Sequence, residues 1–401
     1  MKSKHWAILF AFTVLVIFSV GSIQGFQLGA PDFRVFLAAG EHVWNGQPQL
    51  LYVVSPDRYL YAPGFAWFLS LLAPLGFVAG FWFWTALKIV LTPVALVMLS
   101  KRLKAGLSIA ILTLLTVARP ILIDLRYGQI NLLVLLSLIF AVLGFSDWIR
   151  GERKKWVLPV WIAVSVFAVA KLYALPILLI PYFWHFLSPT RRNLSRIYPF
   201  FFATAVPFLF TVFLPVFAMG FEKGWALLVQ WLAALQDKGF PMETHNQSFL
   251  AFVARQFTGK SAHVVGLYQE INSTWIAWVG DVQLKMIGLA WVLLTMGLIL
   301  AKLFAYAREP DRLRIALLTI GILILPSHLV WKPYFVFALP LAFLAWVRAP
   351  MMALVATVLL NLSGFSILGL WWGPRLESAS ILFWAMLILY FAALRPAPAK
   401  A

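Results

Sequence analysis

Apolar runs of about twenty residues recur along nearly the whole chain, each closed by a short connector, and no other feature restricts the fold as strongly. A helix rising 1.5 Å per residue needs roughly 20 residues to cross a hydrocarbon core of about 30 Å. Charged residues make up 11% of the 401 positions and hydrophobic residues 63%, against roughly a quarter charged in a soluble domain. The chain therefore reads as an all-α polytopic membrane protein, a single domain over residues 1–401 with about 12 transmembrane helices. The first run, Trp6 to Phe26, follows Lys2 and Lys4, is longer than a signal-peptide core and lacks a small-x-small cleavage site before Asp32. It reads as a retained first span with its N-terminus inside.

The net charge of +18 does not indicate a nucleic-acid partner, because the basic residues sit in connectors rather than along one face or groove. Cys is absent, which excludes disulfides and thiolate metal sites. Loops rich in Lys and Arg stay cytoplasmic. That rule places Lys101 to Lys104, Arg150 to Lys155, Arg191 to Arg196 and Lys302 to Arg314 inside. Connectors of mixed charge fall outside: a first loop over 27–61, Arg119 to Gln129, a long segment over 220–283, Ser327 to Pro333 and Trp371 to Ser378. Parity then allows one crossing between Tyr61 and Ser100. Gly80 to Leu99 takes it, while Ala62 to Phe77, broken by Pro63, Gly64, Pro74 and Gly76, is expected to lie embedded in the outer leaflet. Irregular backbone at that depth needs protein or a watery cavity around it.

The polar residues gather on the outer side. Asp32 stands just after the first span, where Phe33, Phe36, Leu37, Val43 and Trp44 recur at helical spacing, as in an amphipathic helix on the outer surface. A carboxylate at that boundary suits a general base; an N-cap role is the alternative. In DLRYGQIN, Gly128 permits a tight turn, Arg126 can bind phosphate, and Gln129 and Asn131 can bind a sugar or pin two helices. Lys171, at the outer end of its span, faces a cavity or snorkels; Lys88, deeper and without a visible partner, ranks below it. His328, Trp331, Lys332 and Tyr334 share one outer boundary. His245 and Asn246, in ETHNQSF, have the composition of a sugar site or of a loop leading into a helix over Phe249 to Phe257. No P-loop, dinucleotide fingerprint, HExxH or GxSxG motif is present.

An Asp after the first span, a Gly-to-Tyr element (Gly46 to Tyr52), an aromatic-x-Pro element (Tyr61 to Pro63), GQIN, Lys171, HNQS and a Ser-x-x-x-Trp-x-x-Tyr element (Ser327 to Tyr334) occur in that order. Together they resemble glycosyltransferase family 87, polytopic GT-C-fold enzymes similar to polyprenol-phosphate-mannose-dependent alpha-1,2-mannosyltransferases. The resemblance implies a polyprenyl-phosphate sugar donor, a glycolipid or envelope-glycan acceptor, an outward-facing site in the inner (plasma) membrane and Asp32 as general base. The family often has Pro-x-Ser-Trp followed by His and Tyr; here His328 precedes Trp331 and Lys332 fills the interval, which makes Lys332 a substitute cation.

The expected chemistry is an inverting hexosyl transfer. Asp32 deprotonates the acceptor, while Arg126, Lys171, Lys332 and His328 hold the leaving phosphate, and Gln129, Asn131, His245, Asn246, Trp331 and Tyr334 contact sugar or acceptor. Neither a metal nor another cofactor is called for. A flippase for a lipid-linked sugar would use similar cations, yet transporters are commonly built from repeats, and none is visible. A polymerase or ligase acting on a diphosphate donor would carry more basic outer loops.

Overall fold

The computed structural model describes residues 3–53, 59–152, 154–187, 197–237, 242–264, 269–271, 273–308, 311–363 and 365–396. Most of them are helical, and the only sheet among them is an antiparallel pairing of Ala262–Val264 with Gln269–Ile271. Among the described residues, five helices are long and apolar enough to cross a membrane: Lys4–Gln27, Pro63–Arg102, Asn131–Ile149, Tyr198–Met219 and Asp281–Arg308. Two bent pairs, Leu107–Thr116 with Ala118–Tyr127 and Trp371–Ser378 with Ile381–Leu394, raise the number to seven if each is one span. The sequence led us to expect about 12. The difference lies in shorter apolar helices such as Val157–Ala170, Leu172–Leu187 and Pro350–Asn361, which fall below the length that spans the core unaided.

A bend inside an apolar span exposes carbonyls that lipid cannot satisfy. At the break between Leu107–Thr116 and Ala118–Tyr127, Asn361 supplies the missing partners. Its amide donates to the carbonyls of Leu115 and Thr116 at 3.0 Å each, and its oxygen accepts from the Arg119 N–H at 3.1 Å. Trp346 Nε1 donates to Thr116 Oγ1 at 2.8 Å, closing the break from another side.

The basic connectors meet at one end. Asp147, buried near the C-terminus of Asn131–Ile149, accepts from Arg102, from Arg150 at 2.5 Å and from Lys154 at 2.7 Å. Arg314 donates to the Leu394 carbonyl at 2.6 Å, and Arg348 lies 3.6 Å from Asp311. Tyr306 stacks on Phe145 and feels the charges of both Arg150 and Arg312, so the two groups share that end. The connector Arg191 to Arg196, assigned to the same side from its charge, lies outside the described residues.

The stretch read as embedded becomes a short helix Pro63–Leu69, a 3-10 turn Ser70–Leu75 and then the long helix Gly76–Arg102, with Gly76 at φ +62. The helix expected on the outer surface runs Pro31–Trp44, and its buried face carries Phe33, Phe36, Leu37, Ala39 and Gly40. That face packs on Pro63–Leu69 and Ser70–Leu75 rather than on lipid. Trp44, assigned to the apolar stripe, is instead exposed.

Candidate functional site

At the end opposite Asp147, the first turn of Pro31–Trp44 meets the turn after Ala118–Tyr127. Gly128 ends that helix in the left-handed region (φ 68, ψ 29), and a Cβ there would come 2.5 Å from the Phe33 Cβ. Both demands select glycine. The close approach delivers Gln129 to Asp32: Gln129 Nε2 donates to Asp32 Oδ2 at 2.5 Å. Asp32 does not cap its helix. Ala30 is the N-cap residue and no side-chain cap bond forms, which sets aside the alternative role. Asp32 is half-buried, whereas Gln129 and Asn131 are buried. Asn131 Nδ2 donates to Gln129 Oε1 at 3.3 Å, and Tyr173 donates to Asn131 Oδ1 at 2.9 Å.

Beneath the turn lies an ion pair. Lys88 donates to Asp124 Oδ1 at 2.6 Å and to the Gln129 carbonyl at 2.5 Å; the Leu132 N–H donates to Asp124 Oδ2 at 3.2 Å, and Trp84 Nε1 to the Gly128 carbonyl at 3.1 Å. Both charges are fully buried. The pair therefore fixes the backbone of residues 128–132, and with it the reach of Gln129 to Asp32. Lys88 has the partner that spacing alone did not reveal, 36 residues away.

Lys171 is buried beside two phenols. Its Nζ donates to Tyr334 OH at 3.0 Å and sits 4.4 Å from the Tyr334 ring and 4.9 Å from the Tyr61 ring, distances at which a ring face attracts a cation. Tyr52 donates to the Tyr61 carbonyl at 2.7 Å, so the Gly-to-Tyr and aromatic-x-Pro elements join here. Among the described residues no carboxylate lies within ion-pair distance of Lys171.

Lys332 opens the 3-10 segment Lys332–Ala338 and pairs with Glu377 at 2.5 Å, both buried. Glu377 was missed by the sequence reading. So was Arg255, which holds the Glu377 turn by donating to the Ser378 carbonyl at 2.9 Å and to Ser380 Oγ at 2.7 Å. Burial lowers Arg255 to about 9, opposed by the Glu377 charge. A lone acid in WWGPRLES and an Arg inside an apolar helix were the available signals, both costly to bury unpaired.

His245 and Trp331 meet edge to face at 6.5 Å. Burial first, then the charges of Lys332 and Arg126, push His245 down to about 3. It is thus neutral near pH 7, a hydrogen-bonding group rather than a cation. Arg126 is exposed in the last turn of Ala118–Tyr127.

His328 is exposed, and its carbonyl accepts from Asn246 Nδ2 at 3.1 Å and Ser248 Oγ at 2.9 Å. Asn246 is fully buried, and its Oδ1 accepts from the Val330 N–H at 3.1 Å. It pins the 328–331 backbone, and Ser248 caps the helix Phe249–Phe257. The structure thus brings Asp32, Gln129 and Asn131 into one chain of hydrogen bonds, sets Lys171 with Tyr334, and sets Lys332 with His245 and Trp331. Among the described residues no group of three or more His, Asp or Glu is placed to hold a metal ion.

The sequence model of glycosyltransferase family 87 matches residues 59–331. No curated protein and no solved structure matches the chain.

Proposed function

Because this chain belongs to glycosyltransferase family 87, a family of membrane glycosyltransferases, we propose that it transfers a hexose, mannose in the first instance, from a polyprenyl-phosphate donor to a glycolipid or envelope-glycan acceptor with inversion. The observation that carries this reading is the 2.5 Å bond from Gln129 to Asp32, which ties the half-exposed carboxylate to the cation-bearing end of the molecule. Asp32 takes the proton of an acceptor hydroxyl as its oxygen attacks the anomeric carbon. The bond from that carbon to the phosphate oxygen breaks, and the phosphate leaves carrying the electron pair. A charge developing on a departing phosphate needs donors already in place. We assign the phosphate donors to Lys171 and Lys332, which are buried, and to Arg126, which is exposed. Trp331 and Tyr334 offer ring faces to a sugar, and His328 an exposed imidazole; Asn246 supports them from behind.

Sidedness follows from charge. The Asp147 end gathers the basic connectors and is cytoplasmic on the positive-inside rule, so the Asp32 end faces outward from the inner membrane. A single cysteine at Lys104 should stay unlabelled by an impermeant thiol reagent in intact cells. The activity test is purified protein incubated with polyprenyl-phosphate mannose and a panel of lipid acceptors, read by mass spectrometry. A hexose-extended product is expected. Movement of labelled donor across proteoliposomes with no product would replace this reading by that of a flippase.

A further inference from the structure

A cavity of about 300 Å³ opens behind the turn that carries Glu377, lined by Gln256, Ser273, Thr274, Trp275, Arg375 and Ala379. None of these residues takes part in the chemistry proposed above. We infer that this cavity is a saccharide-binding site, separate from the Asp32 centre, that holds one pyranose unit of a glycan against the Trp275 ring.

Three observations carry it. Gln256 is 1% exposed. Its Nε2 donates to the Ser378 carbonyl at 3.1 Å and to Ser273 Oγ at 3.3 Å, but its Oε1 has no partner among the described residues. A buried amide oxygen without a donor is unfavourable, and a ligand hydroxyl would supply that donor.

Second, Trp275 is held rigidly while its surface stays open. Its backbone N–H donates to the Gln256 carbonyl at 2.9 Å, Phe252 and Phe257 meet its ring edge to face at 5.8 and 5.9 Å, and it is nevertheless 64% exposed. An exposed aromatic fixed in this way loses no conformational entropy on stacking. Third, Arg375 stands at the rim with its guanidinium 3.4 Å from the Trp371 ring centroid and one N–H on the Trp371 carbonyl at 2.9 Å, which leaves further donors for a ligand oxygen.

The mixture selects the ligand class. An anion would meet the guanidinium favourably but would be repelled by the lone pairs of Gln256 Oε1. A water molecule would satisfy that oxygen and leave the Trp275 face unused, in a volume already at the lower end of small-molecule sites, roughly 300–1,000 Å³. A sugar ring has hydroxyls that both donate and accept, and a C–H face that lies on an indole.

The experiment is saturation-transfer NMR on the full-length protein in a detergent without a sugar headgroup, with methyl α-mannopyranoside and methyl α-glucopyranoside as probes. Transfer to pyranose C–H protons is expected for at least one probe in the native protein and in Asp32→Asn. Trp275→Ala, at an exposed position, should weaken binding at least tenfold, and Gln256→Leu and Arg375→Ala several-fold. Absence of transfer from both probes would overturn the inference. So would transfer undiminished in Trp275→Ala, transfer lost in Asp32→Asn, or displacement of the saccharide by inorganic phosphate. Binding is read without turnover, so failure of the proposed transfer reaction leaves this result standing, and failure here leaves the transfer reaction untouched.

Discussion

The two ends of the protein solve the same problem, a buried carboxylate, in opposite ways. At one end Asp147 is surrounded by Arg102, Arg150 and Lys154, whose own side chains are 25%, 48% and 40% exposed. At the other, Asp124 has the fully buried Lys88, and Glu377 has the buried Lys332. The first arrangement leaves every cation a path to water, so it acts as a staple between connectors. The second commits each charge to one partner in a low-dielectric setting, where the loss of either partner is severe. Among the described residues, this end also holds Lys171, a buried cation beside the phenols of Tyr334 and Tyr61, and Asp32, a half-buried carboxylate bonded to Gln129. The ends thus differ in exposure: the cations around Asp147 reach water, whereas Lys88, Lys332 and Lys171 are buried.

The largest expected effect breaks the comparison at Asp32. Asn can keep the hydrogen bond from Gln129 but cannot take a proton, so Asp32→Asn should lower turnover by about a hundredfold to ten-thousandfold at equal abundance. Asp32→Glu keeps the base but moves it by one methylene, and partial activity is expected. Near-normal turnover by the Asn variant would pass the base role to another group, His328 first.

Next come the two buried acids. Lys88→Met leaves Asp124 uncompensated and should destabilise the protein by about 3–5 kcal/mol, read as a fall in thermal midpoint in detergent. Restoring apolar character on both sides with Lys88→Met and Asp124→Leu should recover much of that loss. Asp147→Asn should cost less, about 1–3 kcal/mol, since its cations can turn to water. Equal losses at the two ends would erase the distinction drawn between staple and committed pair.

A smaller effect concerns the phosphate cations. Lys171→Gln removes a charge-assisted donor and should weaken donor binding roughly tenfold to a hundredfold. Glu377→Gln releases Lys332 from its partner, and a phosphate that uses Lys332 should then bind tighter by a few-fold. Donor affinity unchanged in both variants, measured by equilibrium binding of a polyprenyl-phosphate sugar, would remove both lysines from the phosphate site.

How much of this was legible beforehand depended on whether the signal was local. The helix Phe249–Phe257 and the turn at Gly128 rest on residues close in sequence, and they appear as expected. The pairing of Lys88 with Asp124 spans 36 residues and that of Lys332 with Glu377 spans 45, distances over which spacing carries no information. Glu377 and Arg255 were passed over because neither has a charged residue at helical spacing beside it. In a membrane protein that isolation is itself a reason to look for a buried partner. Hydropathy alone does not show where an apolar run is broken, so the lengths of short helices such as Val157–Ala170 and Pro350–Asn361 were not legible in the sequence.

The smallest effect is a pH dependence at His245. An unfolded chain protonates histidine with an ordinary value of 6.5, whereas burial and the charges of Lys332 and Arg126 lower it to about 3 in the folded protein. Between those values the unfolded state binds a proton that the folded state refuses, so stability is complete above about pH 6.5 and is lost as pH falls toward 3. At pH 5 the loss should be on the order of 1 to 2 kcal/mol relative to pH 7. His245→Gln keeps a polar group without a titrating ring, so the difference between its thermal midpoints at pH 5 and pH 7 should be smaller than in the native protein. An identical difference would mean that His245 is protonated in the folded state. Occupancy by a phosphate provides the counter-test. An anion beside Lys332 and Arg126 offsets the two charges that help keep His245 neutral, so a bound polyprenyl-phosphate sugar should raise its titration and shrink the same difference. A donor that leaves the pH dependence unchanged would place its phosphate away from this group and nearer Lys171.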